Sequence, residues 1–268
     1  MLKILSLGAG VQSTTLLLMS CKGELPKLDC AIFADTGWEP KAVYEHFDWL
    51  KAESEKYGIP VHVVSEGNLR DHEVHSEMRN GKSPVMIPYR TKKDGKIGMI
   101  RRQCTNHYKI KPINKFIRRS LLGLEKGQRY KGEPVTVWKG ISSDESRRAT
   151  ISKDWWYDFE YPLIDPSNMT RFHCIKWFEK HYNRPLPRSA CIGCPYKGPK
   201  EWAELKKNYP EEWQDAIEFD RAMRKKGGEK GDFFLTRECI PLEELDLMSP
   251  EDHGQLGFSE ECMGMCGV

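Results

Sequence analysis

Residues 3–19 read KILSLGAGVQSTTLLLM, and the order of apolar and small positions there organises the chain. Ile4, Leu5 and Leu7 predict a short buried strand, Gly8, Ala9 and Gly10 a tight turn, and Ser13-Thr14-Thr15 the opening of an apolar helix. A strand that passes through small residues into a helix leaves unpaired backbone N–H groups at the positive end of the helix dipole, a place suited to phosphate. Glycine is needed where a Cβ would block close approach. Cys30-Ala31-Ile32-Phe33-Ala34 predicts a second buried strand that ends in Asp35-Thr36-Gly37-Trp38-Glu39-Pro40. Pro40 opens a helix with Val43, Phe47 and Leu50 on one face, ending near Gly58 and Pro60, and Val61, Val63 and Val64 predict a third strand. This βαβαβ rhythm argues for a parallel sheet with right-handed crossovers and helices on both faces.

Past residue 65 the pattern loosens. Residues 69–79 predict a helix, and residues 84–100 read as a loop with Gly, Lys and Arg. Pro112 suits the first position of a helix carrying Ile113, Phe116, Ile117 and Leu121. Pro134-Val135-Thr136-Val137-Trp138 predicts a fourth strand, followed by Gly140-Ile141-Ser142-Ser143-Asp144-Glu145-Ser146-Arg147-Arg148. Tyr161-Pro162-Leu163-Ile164 reads as short and extended, and a helix with Phe172, Ile175 and Phe178 follows. A loop over residues 184–196 holds Cys191-Ile192-Gly193-Cys194-Pro195. Helices over 200–208 and 211–225 turn Trp202, Leu205, Trp213 and Ile217 inward, and the acidic end, 233–268, is expected to loop over the core. The expected division is a nucleotide-binding domain over 1–200 and a helical, acidic extension over 201–268 packing on it.

Composition narrows the setting. The 268 residues suffice for one α/β core with an appended subdomain, and 30% are charged. Mean hydropathy is -0.63, and no apolar run approaches the ~20 residues that span a bilayer. The N-terminal sequence enters the first strand without a signal-peptide pattern, so a cytoplasmic location and no membrane partner are expected. Nine cysteines in such a chain point to metal or thiol chemistry rather than disulfides. The net charge of +3 hides an asymmetry: residues 90–131 carry fourteen Lys/Arg against Asp94 and Glu125. Such a block is either a solvated face or a surface for nucleotide or nucleic acid, with Tyr89, Tyr108, Phe116 and Tyr130 interleaved as stacking candidates.

Three phosphate loops can be tried on residues 8–13. A Walker A loop needs Gly-Lys-Ser/Thr, and no lysine lies between Lys3 and Lys22. A dinucleotide fingerprint needs Gly or Ala where Ser13 stands, with an acid such as Asp35 further on. A pyrophosphatase-type loop, Ser-Gly-Gly-x-Asp-Ser, matches at its closing Gly-x-x-Ser and departs at Gly8 and Gln12. Asp35 is either a capping residue at its strand exit or a ligand for ribose or metal. Arg147 and Arg148 follow a strand end, where a guanidinium fork suits phosphate oxygens.

Together these pieces resemble the phosphoadenosine-phosphosulfate reductase branch of the adenine nucleotide α-hydrolase superfamily. The likeness rests on five stretches in the family's order, across about residues 3–200: residues 8–13; Asp35-Thr36-Gly37; Cys104 with Lys109 and Pro112; Gly140 with Glu145-Ser146 and Arg148; and Cys191-Ile192-Gly193-Cys194-Pro195. Tyr161-Pro162-Leu163 sits where the family places its return strand. The resemblance implies an α/β parallel sheet binding an adenine nucleotide, ATP or phosphoadenosine-phosphosulfate, through Gly8, Gly10, Gln12, Ser13, Asp35, Lys109, Gly140 and Arg148. Gln12 replaces the family's acid; a neutral amide donates to phosphate but is a poor magnesium ligand, and Asp35 is placed to supply the missing charge.

It also implies that Cys104, Cys191 and Cys194 hold a four-iron four-sulfur cluster, with one thiolate fewer than the family's reductases, since Gln103 precedes Cys104. A structural zinc site and free thiols are the alternatives. In the tail, Glu261-Cys262-Met263-Gly264 is similar to the family's C-terminal Glu-Cys-Gly, which makes Cys262 the candidate catalytic nucleophile. Cys262 or Cys266 is otherwise the fourth ligand. Two reactions fit: reduction of a sulfonucleotide by a thiol, with an external thiol reductant, or ATP-dependent thiolation of tRNA or DNA, with a sulfur donor protein and release of pyrophosphate. The third reading is a nucleotide-binding module without turnover.

Overall fold

The structure, a computed structural model, describes residues 1–76 and 85–247. Five strands form the central sheet: β1 (Lys3–Leu7), β2 (Cys30–Asp35), β3 (Val61–Ser65), β6 (Val135–Lys139) and β7 (Tyr157–Glu160). They lie in the order β3-β2-β1-β6-β7 and every pairing is parallel. The chain therefore runs outward from β1 to one side and returns to its other side as β6. That reversal opens a crevice at the carboxyl ends of β1 and β6, where parallel sheets bind ligands.

Alternation along the strands decides which helix goes where. Leu5, Leu7, Ala31, Phe33 and Trp138 share a core with α1 (Val11–Cys21), α2 (Lys41–Glu55) and α5 (Arg171–His181). Ile4, Ile32, Ala34, Val135 and Val137 share the opposite one with α4 (Lys111–Phe116). The sheet is thus covered on both faces, and α1 is buried along most of its length. The threonines that begin α1 are accommodated there by hydrogen bonds: Thr14 pairs with His46 at 3.0 Å and Thr15 donates to the Val11 carbonyl at 2.9 Å.

A second core lies beside the sheet. It joins α3 (Leu69–His75), residues 85–108, α6 (Pro199–Asn208), α7 (Pro210–Met223) and β8 (Asp232–Phe234). Residues 90–99, read above as loop, form the hairpin β4 (Arg90–Lys93) and β5 (Lys96–Met99), and β8 pairs with β4. The turn is Asp94-Gly95, both at positive φ (49° and 74°), the geometry a two-residue hairpin requires. Tyr89 and Tyr108 are buried here, Tyr89 stacked on Phe233 at 4.9 Å, so neither is a stacking surface. Glu73 fixes the segment: it accepts from the N–H groups of Met86 and Ile87 and from the Tyr89 hydroxyl, and burial pushes its carboxyl up to about 7.

Three further expectations change. The helix around Pro112 begins earlier, because wide π-type turns over Thr105–Ile110 and Ile117–Leu121 flank α4. Pro112 lacks an N–H, and the wide turn before it leaves room for its ring. The strand beside β6 is Tyr157–Glu160, while Tyr161-Pro162-Leu163-Ile164 forms turns after it. Phe172 is exposed, and Phe178 is the buried aromatic of α5. Among the described residues no helix is long and apolar enough to cross a membrane.

Candidate functional site

The loop between β1 and α1 is closed by Ser13, whose hydroxyl accepts from the Gly8 N–H at 3.2 Å and donates to the Gly10 carbonyl at 3.3 Å. Ala9 takes a positive φ of 53°, and Gly10 caps the helix. Gly140, where β6 leaves the sheet, lies against this turn: a Cβ on it would stand 2.8 Å from the Ser13 nitrogen. Glycine at 140 is therefore a packing requirement between two backbones.

Gln12 bridges the crevice. Its amide donates to Glu145 Oε2 at 3.1 Å and to the Ser142 hydroxyl at 3.4 Å, and its Oε1 accepts from Arg171 at 3.2 Å. Glu145 in turn pairs with Arg148 at 2.7 Å, both side chains largely buried. An acid at position 12 would face Glu145 and be repelled, whereas a neutral amide joins an acid on one side to a cation on the other. Glu145 thus supplies the crevice carboxylate that the loop itself lacks. Sequence reading left Glu145 off the site, and Arg171 carried no signal, because it arrives from the start of α5.

Asp35 ends β2 and is spent locally, accepting from the Gly37 N–H at 2.8 Å and the Tyr44 hydroxyl at 2.7 Å. The capping reading of Asp35 is what these contacts describe. Burial, then the bond to Asp35, pushes the Tyr44 hydroxyl up.

The next residue, Thr36, opens onto a second feature. Cys104, Cys191 and Cys194 line one cavity of about 40 Å³ together with Thr36, Arg102 and Lys109. Cys104 caps the turn Thr105–Ile110, which carries Lys109. Cys191 and Cys194 form a tight turn, Cys194 N–H to Cys191 O at 3.1 Å, held by the Ile192 N–H to Trp38 O bond at 3.0 Å. A Cβ on Gly193 would run into the Trp38 ring, so Gly193 lets the turn lie flat on that indole.

A buried carboxylate stands behind the thiols. Glu39 is 3% exposed; its Oε1 lies 3.3 Å from the Thr36 hydroxyl, 3.5 Å from Lys109 Nζ and 3.6 Å from the Cys191 sulfur. Glu39 Oε2 is buried without a hydrogen-bond partner, as is one terminal nitrogen of Arg102. Burial pushes the Cys191 thiol well up, Glu39 adds to the rise, and Lys109 opposes it.

No family model and no curated protein matches the chain. The site must therefore be read from its own geometry. The predicted nucleotide residues Gly8, Gly10, Gln12, Ser13, Gly140 and Arg148 gather at the β1/β6 crevice, while Lys109 and the three cysteines gather at the cavity. One loop touches both places. A Cβ on Gly10 would stand 3.3 Å from Ser189 Cβ, and Ala190, Cys191 and Cys194 line the cavity. Cys262 lies outside the described residues.

As placed, no three His, Cys, Asp or Glu side chains among the described residues are gathered around a point that could hold a metal ion. The donor chemistry of the cavity nonetheless suits a thiolate-bound metal group. Three thiols line it together with the cations Arg102 and Lys109, while the Glu39 carboxylate stands behind Cys191 and pairs with Lys109.

Proposed function

We propose that the chain is an adenine-nucleotide-dependent sulfur enzyme whose nucleotide crevice and thiol cavity form one site. The observation that carries this reading is the loop 189–194, which packs on the phosphate-loop glycine with Ser189 and presents Cys191 and Cys194 to the cavity shared with Cys104. Phosphates would lie at the N-terminus of α1 against Gly8, Gly10 and Gln12, with Arg148 turning from Glu145 to a phosphate oxygen. Cys104, Cys191 and Cys194 would hold the four-iron four-sulfur cluster, or zinc in its place. Bound there, such a group would supply Lewis acidity toward an anionic sulfur species.

The reaction we favour is reduction of a sulfonucleotide such as phosphoadenosine-phosphosulfate. A thiolate, Cys262 by the resemblance, attacks the sulfur of the sulfo group. The sulfur–oxygen bond to phosphate breaks and the nucleoside bisphosphate leaves with that oxygen. An external thiol then attacks the cysteine sulfur, sulfite departs with two electrons, and a second thiol completes a disulfide.

A second reading has its own support, because Trp155 is half exposed with the Arg129 guanidinium over its ring and the partly buried Tyr130 beside it. In that reading a nucleobase oxygen attacks the α-phosphate of ATP, and Glu145 is the carboxylate that would hold the magnesium accompanying it. Pyrophosphate leaves, and hydrosulfide sulfur held at the cavity displaces AMP. Product analysis of anaerobically prepared protein tests both. Sulfite formed from phosphoadenosine-phosphosulfate and a dithiol is the expected result. Pyrophosphate formed from ATP only when RNA or DNA is present would select the second reading, and neither product from a nucleotide-binding protein would leave a module without turnover.

A further inference from the structure

The long basic block does not form a single face. Its first part is the β4/β5 hairpin, whereas residues 118–131 lie at the amino ends of β6 and β7, about one strand length, roughly 17 Å, from the nucleotide crevice. This second part carries Arg118, Arg119, Lys126, Arg129 and Lys131 against one acid, Glu125.

Its loop is built rather than loose. Arg118 donates to the Gln128 carbonyl at 2.7 Å and Arg119 to the Leu124 carbonyl at 2.6 Å, while Gln128 Oε1 accepts from the Glu125 N–H at 2.7 Å. The Tyr130 hydroxyl reaches the Glu133 carbonyl at 3.0 Å, and the ring lies over Gly132, where a Cβ would collide with it. Tyr130 is thereby held nearly parallel to Trp155, 24° between planes and 6.2 Å between centroids. The Arg129 guanidinium sits 5.3 Å from the Trp155 ring centre.

Trp155 is 50% exposed, unusual for an indole that packing alone would place. Beside the edge strand β7 lies an open groove of about 420 Å³, lined by residues 149–152, Asp158, Phe159 and Tyr161. Ala149, next to Arg148 in sequence, is among the residues lining it. Ile151, on its lip, is 91% exposed. Two acids also stand here, Asp154 next to Trp155 in sequence and Asp158 in the groove wall, so the basic character belongs to residues 118–131.

We propose that Trp155, with Arg129 and Tyr130 beside it, forms a stacking platform for single-stranded nucleic acid. The half-exposed Trp155 indole, backed by Tyr130, offers base stacking, which is indifferent to sequence. The surrounding lysines and arginines offer phosphate contacts that draw affinity from counterion release. A duplex would hide its base faces from such a platform, so the partner is an unpaired strand. The inference deepens the second reading of the site, since it names a surface for the acceptor. Binding to the platform, however, needs no turnover and no metal.

Labelled 12-nucleotide oligo(U) and oligo(dT) titrated against the full chain by fluorescence anisotropy, across salt from about 50 to 200 mM, decide it. Trp155→Ala should weaken binding about tenfold at every salt and leave the salt slope unchanged, as loss of a stacked base does. Trp155→Phe should keep affinity within about threefold, which separates stacking from any damage to the fold. Arg129→Ala should weaken binding and lower the salt slope by roughly one. Absence of binding at the lowest salt, equal binding by Trp155→Ala and wild type, or equally good competition by polyglutamate each overturns the platform. ATP binding measured on the same variants should be unchanged. Failure of ATP to bind any of them counts against the crevice and leaves the platform result standing.

Discussion

Replacing Cys191 with serine is expected to remove the metal group altogether, taking iron from roughly four atoms per chain to below one and abolishing absorption near ~400 nm in anaerobic protein. A hydroxyl is a poor ligand for iron in such a group, and the turn puts Cys191 and Cys194 on the same cavity, so one lost thiolate leaves two. The fold should survive, because a serine hydroxyl can keep the contacts that Cys191 makes with Thr36 at 3.4 Å and Glu39 at 3.6 Å. Cys21→Ser, at the last turn of α1, is the control and should keep full iron. Iron and sulfide analysis with a thermal melt reads both. Colourless wild type with one equivalent of zinc would make the cysteines structural.

The second large effect is expected from Gly140→Val. The Cβ alone would stand 2.8 Å from the Ser13 nitrogen and 3.1 Å from its Cα, and neither backbone atom can swing away as a side chain can. β6 and the first turn of α1 must separate, at a cost of about 1–3 kcal/mol typical of overpacking. The same separation shifts the N–H groups that would meet phosphate, so adenine-nucleotide affinity should fall at least tenfold by calorimetry, the loss of about one charge-assisted hydrogen bond. Gly127→Val, at an exposed turn where a Cβ would meet nothing within 4 Å but the φ of +86° strains a side chain, should cost stability and leave affinity unchanged. Unaltered nucleotide binding by Gly140→Val would move the nucleotide away from this crevice.

How much of this was legible in the sequence depended on how far each signal reached. The first 65 residues declare themselves, because β1 and β2, buried on both faces, give apolar runs, the edge strand β3 is rich in valine, and α2 keeps a 3.6-residue period. The β4/β5 hairpin was hidden by composition. Its strands are short and basic, so no apolar alternation marks them, and only Asp94-Gly95 betrayed the turn. Pro112 misled for a related reason: a proline at a helix start and a proline tolerated by a wide turn look identical in sequence.

At the site, Gly140 and the paired cysteines were visible because their spacing is local. Glu39, Arg102 and Arg171 were not. Glu39 reads as an ordinary acid after a strand, and only folding brings it 3.6 Å from a sulfur 152 positions away. Gln12 is the instructive case. In sequence it is a departure from a pattern, and in the structure it is the neutral link between Glu145 and Arg171 that an acid there could not make.

The claim that the crevice and the thiol cavity are one site is tested most directly by alkylating the metal-free full chain with iodoacetamide, with and without ATP or phosphoadenosine-phosphosulfate, and reading each cysteine by mass spectrometry. The loop that joins Ser189 to Cys194 predicts that bound nucleotide slows labelling of Cys104, Cys191 and Cys194 while Cys21, at the far end of α1, reacts as before. Nucleotide that binds and leaves all three cavity thiols reacting at their original rates would contradict the account.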